Sequence, residues 1–361
     1  MPRGSSVNPT ETQRVSSGNP TRFQRVKSLF YLIKVAILSD MRIVFSHISA
    51  LECTRASNAA FLRRQPASRS FALPERLPSS AEIAEAVPFA NALSAPRHVM
   101  ASRETRRRRT SLVAGHSVGT ASLPHGSILF VRSENELFAA SPELLFPQIG
   151  TLAHRVDLIR IGYELCGSYA LSRTHPDGFY ARNPLTTVPR MQSYLERIPG
   201  VHGTKAARWA LQHVLPRSAS PRETDVSMLF ELPCALGGCG FGQPRLNHEV
   251  TVLQRIGATK TRKTYRIDLY WPAAKLGLEY DSDLAHTGAD RIARDARRRN
   301  DLESVGITML TITNKQVKSL WEFNKLAHVV AGRLGKQIQP RCKDYAARQR
   351  ELHTRLMRQG L

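Results

Sequence analysis

Tyr265-Arg-Ile-Asp-Leu-Tyr-Trp271 and, after a turn at 272–275, Leu276-Gly-Leu-Glu-Tyr-Asp281 decide how the C-terminal part of this chain folds. In a strand, successive side chains point to opposite faces. The first run then sets Tyr265, Ile267, Leu269 and Trp271 on one face and Arg266, Asp268 and Tyr270 on the other. The second sets Leu276, Leu278 and Tyr280 together, with Gly277, Glu279 and Asp281 opposite. Paired as a hairpin, the two runs turn Asp268 toward the side that carries Glu279 and Asp281. Three converging carboxylates repel one another, and a divalent cation removes that cost. Mg²⁺, with Mn²⁺ as the alternative, suits such oxygen ligands. It would orient a water and neutralise charge building on a phosphodiester.

Outward from this pair, the pattern alternates helix and strand. A charged helix is expected over 290–305, an apolar strand over 307–313 and an amphipathic helix over 315–334. The first of these carries Arg291, Arg294, Arg297, Arg298 and Arg299 just after the carboxylates. Cations beside an acidic pocket would hold a nucleic-acid backbone. The plainer reading is a solvated face, with Asp290–Arg294 and Arg297–Asp301 satisfying each other one helical turn apart. Upstream, Ser220-Pro-Arg-Glu223 opens a helix that runs to Leu232. Ser-x-x-Glu is a capping box, so Glu223 either caps only or caps and also serves the acidic site. The glycine-rich stretch 237–244 is followed by no P-loop Lys-Ser/Thr and reads as a connection. Cys234 and Cys239, with His213 and His248 nearby, are a weak zinc pattern, since only one Cys pair exists. Trp271 and Trp321 are expected in the core, and His286 reads as an ordinary loop histidine.

These pieces together resemble the PD-(D/E)XK nuclease superfamily, in the branch related to very-short-patch-repair endonucleases. The resemblance rests on Ser220-Pro-Arg-Glu-Thr224, Arg266-Ile-Asp-Leu-Tyr-Trp-Pro272, Leu278-Glu-Tyr-Asp281 and Arg297-Arg-Arg-Asn-Asp-Leu-Glu303, and spans roughly residues 216–335. It implies a restriction-endonuclease-like mixed β-sheet flanked by helices, and a Mg²⁺-dependent endonuclease acting on DNA. Asp268 and Glu279 would be the metal ligands. Glu223 and Asp281 would complete the catalytic set, with Arg291, Arg294, Arg297 and Arg298 on the DNA. The superfamily pattern has Lys where this chain has Asp281, although this branch often carries an acid there. Lys275, Arg291 or Arg294 are the candidates to supply the missing cation. Ser282 stands where the branch has Gly, and Ala285 where it has His. More loosely, Ser49-Ala-Leu51 and Leu158-Ile-Arg-Ile-Gly-Tyr-Glu-Leu-Cys-Gly167 resemble an abortive-infection antitoxin (AbiEi-like) region. That pairing implies a role in phage defence or DNA repair. The alternative is a catalytically inactive DNA-binding regulator or antitoxin-type module.

Composition agrees with a nucleic-acid partner. Of 361 residues, 52 are Lys or Arg against 29 Asp or Glu, a formal charge of +23. Such a field favours a polyanion, with an anionic membrane surface as the competitor. Residues 253–361 alone hold 22 Lys and Arg against 11 Asp and Glu. A protein partner or a homodimer is compatible with the same surface. Five scattered cysteines argue against a disulfide scaffold. No run of 18 apolar residues exists; the nearest, around Leu29 to Leu38, is broken by Lys34. Arg22, Arg25 and Lys27 imitate a signal peptide without its cleavage site. The expected setting is the cytoplasm.

The fold class expected is α/β (α+β): the C-terminal mixed sheet with a smaller mixed N-terminal domain. Residues 1–40 read as disordered or an extension, 41–215 as a strand-rich then helical domain, 216–335 as the endonuclease-like domain and 336–361 as a basic helical tail. A strand is expected over 41–51, with others at 97–100, 128–131 and 137–139. The run Arg106 to Arg109 lies in a loop between them. A helix from residue 158 carries Leu158, Ile161, Gly162, Leu165 and Tyr169 on one face. A loop over 173–187 and helices at 191–198 and 204–215 follow, with a linker at 216–220.

Overall fold

The computed structural model describes residues 42–56, 71–86, 93–102, 110–118, 123–132, 137–256, 259–281, 289–338 and 342–358. Arg42–Leu361 forms one compact unit. Its architecture is α+β, with mixed sheets flanked by helices.

Among the described residues, β1 (Ile43–Phe45), β2 (Arg97–Ala101), β3 (Val113–Ser117), β4 (Ile128–Arg132) and β5 (Leu137–Ala140) form a sheet in the order β3-β2-β1-β5-β4. β1 lies at its centre, antiparallel to β2 and parallel to β5. A central strand is covered on both faces, and Ile43, Val44 and Phe45 are accordingly all buried. The expected strand over 41–51 is therefore too long. The chain leaves it at Ser46 and continues as helix α1 (His47–Arg55). Tertiary hydrogen bonds override the apolar pattern there: the His47 amide donates to Gln148 Oε1 at 3.2 Å, and the His98 amide to Ser49 Oγ at 2.8 Å. The strands expected near 97, 128 and 137 are β2, β4 and β5. The arginine run 106–109 lies outside the described residues.

Helix α2 (Ser80–Ala86) precedes β2. Helix α3 (Pro142–Ile149) follows β5, with Ser141 as its cap, and leads to α4 (Arg155–Cys166). Tyr169, expected on the α4 face, instead belongs to β6 (Tyr169–Leu171). β6 pairs with β7 (Phe179–Ala181), which lies within the expected loop 173–187. Helices α5 (Val188–Arg197), α6 (Thr204–Leu211) and α7 (Pro221–Glu231) continue the chain. Buried contacts span the segment 216–220. Arg160 pairs with Asp225 at 3.0 Å, Tyr163 Oη meets Ser227 Oγ at 3.2 Å, and Tyr169 Oη meets Thr224 Oγ1 at 2.9 Å. Nearby, Arg55 Nη2 reaches Glu164 Oε2 at 2.7 Å.

The C-terminal sheet comprises β8 (Arg245–Ile256), β9 (Thr259–Trp271), β10 (Leu276–Asp281) and β11 (Thr308–Thr313), in the order β11-β10-β9-β8. β8, β9 and β10 pair antiparallel; β10 and β11 pair parallel, joined through helix α8 (Ala289–Ser304). The sequence reading lacks β8. Its residues are largely polar because it is an edge strand, and edges carry polar side chains against aggregation. Val252, Ile267, Tyr270, Leu302 and Ile307 form the core that binds α8 to the sheet. Gly277 lets β10 approach: a Cβ there would stand 2.3 Å from Met309 Sδ.

The helix expected over 315–334 is two helices, α9 (Asn314–Lys318) and α10 (Leu320–Arg333), because Ser319 breaks the run and caps the second. That break turns Trp321 outward: it is 66% exposed, with Lys325 Nζ 3.3 Å from its ring centroid, whereas Trp271 is buried as expected. Helix α11 (Tyr345–Met357) packs back with Leu352 and Leu356 buried. Its Arg355 donates to Asp157 of α4 at 2.8 Å, and Arg348 to the Ala235 carbonyl at 2.9 Å. Among the described residues, no helix is long and apolar enough to cross a membrane; the apolar run near Leu29 lies outside them.

Candidate functional site

Helix α7 sets Glu223 first. Ser220 caps it by accepting the Glu223 amide at 3.1 Å, and Pro221 occupies the first turn, where no amide donor is needed. The Glu223 carboxylate reaches back in turn: Oε2 accepts the Ala219 amide at 2.9 Å and Oε1 the Ser220 hydroxyl at 3.0 Å. Asn247 of β8 adds a third donor to Oε2 and ties itself to the Arg217 carbonyl at 2.8 Å. Glu223 is thus both cap and cluster member. Burial, then the Asp268 charge, push its carboxyl above the ordinary range against these three hydrogen bonds.

The β9–β10 register places the other two acids. Leu269 pairs with Leu278, so the next step along the ladder brings Asp268 and Glu279 opposite each other. Asp268 Oδ2 accepts the Tyr280 amide at 2.9 Å. Burial raises the Asp268 carboxyl despite that bond and the nearby Arg298 and Arg266. Burial likewise pushes Glu279 up to about 7, with Arg298 opposing and Asp268 adding to the rise. The Asp268 charge thus bears on both Glu223 and Glu279. Asp281 ends β10, half-buried, in register with Thr313.

Arg298 reaches this group from α8. It forms an ion pair with Glu279 Oε1, donates to the Arg266 carbonyl, and lies over the Tyr265 ring at 5.9 Å. Arg294, Arg297 and Arg299 are exposed on the same helix, while the Arg291 side chain lies outside the described set. Lys275 sits at the opposite end of β10 from Glu279, beside Gly306. Asp301 takes Lys263 at 3.4 Å and the Tyr265 hydroxyl. Ser282, Ala285 and His286 lie outside the described residues.

The donor set fits a hard cation. Mg²⁺ is held by one or two carboxylates and otherwise by water and phosphate, and Asp268 with Glu279 offers that pair. Asn247 Oδ1, on the residue that steadies Glu223, is buried without a hydrogen-bond partner. The three acids do not form a closed cage. Among the described residues, one His/Cys/Asp/Glu trio has its ligand atoms all within 4.8 Å of one another, and it is His47, His98 and His116. No local motif announces it, because the three come from separate elements. Cys239 is buried, its thiol pushed up to about 12 by burial and by Cys234, and all five cysteines are free.

No family model, no curated protein and no solved structure matches this chain.

Proposed function

We propose that the C-terminal sheet and its helices form a restriction-endonuclease-like domain, a metal-dependent endonuclease acting on DNA. The observation that carries this reading is the cross-strand placement of Asp268 and Glu279, with Arg298 of α8 paired to Glu279 and Arg294, Arg297 and Arg299 exposed on the same helix. The elements bearing these residues follow the order that the nuclease resemblance requires. Asp268 and Glu279 would hold Mg²⁺ or Mn²⁺, which supplies Lewis-acid polarisation of the phosphodiester and an activated water.

The chain's own residues do the positioning. The Tyr280 amide fixes the Asp268 carboxylate, while Ser220, Ala219 and Asn247 hold Glu223 behind it. Arg294 and Arg297, with Arg299, meet backbone phosphates as they approach the hairpin. Arg298, paired with Glu279, would exchange that carboxylate for a phosphate oxygen. It thereby takes the charge-neutralising place of the lysine that Asp281 replaces. Asp281 flanks the pair at the strand end.

Plasmid DNA incubated with wild type and Glu279→Ala, with Mg²⁺, with Mn²⁺ and with chelator, tests the reading. Cutting that needs metal and vanishes in the variant is expected; intact plasmid in every wild-type reaction would refute it. One observation favours a second reading: the Arg298–Glu279 pair already neutralises a ligand position. A DNA-binding regulator without chemistry would retain DNA equally well in Asp268→Ala.

A further inference from the structure

The N-terminal half holds a second constellation, remote in role from the carboxylates. His47 opens helix α1, His98 lies on β2 and His116 on β3. His98 Nδ1 and His116 Nε2 stand 2.9 Å apart, and the His47 and His116 rings stack at 3.7 Å between centroids. One ring nitrogen from each lies within 4.8 Å of the other two. A tetrahedral zinc site, with Zn–N near 2.0–2.1 Å, spaces its nitrogens by about 3.3 Å. The His98–His116 separation is already close to that, and a shared metal would require the half-buried His116 ring to turn out of its stack with His47. The three rings line a cavity of about 650 Å³, which Gln148, Thr151 and His202 also border.

The surroundings hold these rings in place. Ser46 Oγ lies 3.0 Å from His47 Nδ1, so a proton on that nitrogen leaves Nε2 as the ligand atom. The Ser46 amide donates to the His98 carbonyl at 2.9 Å, and Ser49 Oγ accepts the His98 amide at 2.8 Å. His47 itself takes φ 47°, a left-handed conformation that costs a non-glycine residue energy and clusters at functional sites.

We propose that His47, His98 and His116 bind a borderline divalent transition metal of the zinc class, leaving a fourth coordination position that faces the cavity. Imidazole nitrogens select this class over the Mg²⁺ expected at the carboxylates. Three protein ligands with an open position are the arrangement of zinc sites that bind water or an exchangeable ligand. The proton between His98 and His116 moves to an outer ring nitrogen, so binding leaves both imidazoles neutral.

Tag-free full-length protein, stripped with chelator and titrated with Co²⁺, tests this through the visible d–d bands. Intense four-coordinate bands saturating at one equivalent, bleached by equimolar Zn²⁺ and unchanged by excess Mg²⁺, are expected. They should disappear in His98→Ala and His116→Ala and persist in His202→Ala and Glu279→Gln. Ser46→Ala, which removes only the orienting hydroxyl, should weaken Co²⁺ by roughly tenfold. Far-UV circular dichroism of each variant shows that the fold survives. Absence of such bands in the wild type, or their persistence in the folded His98→Ala/His116→Ala double variant, would overturn the proposal. Because Glu279→Gln is scored separately, failure here leaves the nuclease reading standing, and the reverse also holds.

Discussion

Arg298 crosses from helix α8 to close an ion pair on Glu279 of β10, while Arg294, Arg297 and Arg299 of the same helix stay exposed. The cation and the carboxylate lie 19 positions apart in the chain and meet because the β10–α8–β11 crossover returns α8 over the sheet. Replacing Arg298 by alanine leaves Glu279 half-buried beside Asp268 with its counter-charge gone. Both side chains of the pair are about a third exposed, so the loss falls at the low end of about 1–3 kcal/mol. Mn²⁺ should recover more of the melting temperature in Arg298→Ala than in wild type, because it takes over the vacated role. Equal Mn²⁺ shifts in both proteins would separate the metal from Glu279.

The exposed face of α8 predicts a salt signature. Binding of duplex DNA by wild type should fall steeply with KCl. In Arg294→Ser/Arg297→Ser/Arg299→Ser the slope of log K against log salt should shrink by about 0.9 for each phosphate that is no longer neutralised. Filter binding across a KCl series reads it; an unchanged slope would place the DNA on another surface.

Glu231 ends helix α7 with Oε1 buried and unpartnered, at the helix end that disfavours a negative charge. Burial pushes its carboxyl up to about 8 against the Tyr163 hydrogen bond. Between about pH 4.5 and 8 the folded state keeps a proton that the unfolded state releases, so this group costs stability as pH rises. Glu231→Gln should therefore be more stable than wild type at pH 8, with the difference shrinking toward pH 5. Urea melts at both values check the sign.

Arg55 and Glu164 form the opposite case. Burial alone would raise the Glu164 carboxyl, but the Arg55 guanidinium, then Arg182, hold it below its ordinary value. Arg55→Ala leaves a buried carboxylate short of its main partner and should cost about 3–5 kcal/mol in urea unfolding at neutral pH. The loss should be smaller in a Glu164→Gln background, where no charge is stranded. Equal losses in the two backgrounds would mean that Arg55 acts by packing.

The acidic hairpin was legible because strand alternation alone sets Asp268 and Glu279 on one side, and a capping signature alone opens the helix at Ser220. What alternation cannot show is a polar edge strand: β8 reads as loop, so Asn247, with its φ of 45°, went unnoticed as the residue that braces Glu223. The inward turn of Arg298 was equally hidden. Five arginines on one helix look alike in sequence, and only the packing of α8 on the sheet singles one out. The histidine trio left no spacing signal, since a helix start and two neighbouring strands supply one ring each. Residues 46–51 misled the strand reading for a related reason: distant Gln148 and His98 fix that backbone.

Arg355 grips Asp157 across 198 positions of chain, and Gln349 and Asn324 exchange amide hydrogen bonds close by. During synthesis the early sheet and its helices emerge long before this clasp. They must wait for this clasp until the ribosome has released residues near 355. A stalled or prematurely ended translation product would carry both candidate metal sites without this added clasp, and proteases would be expected to remove it first.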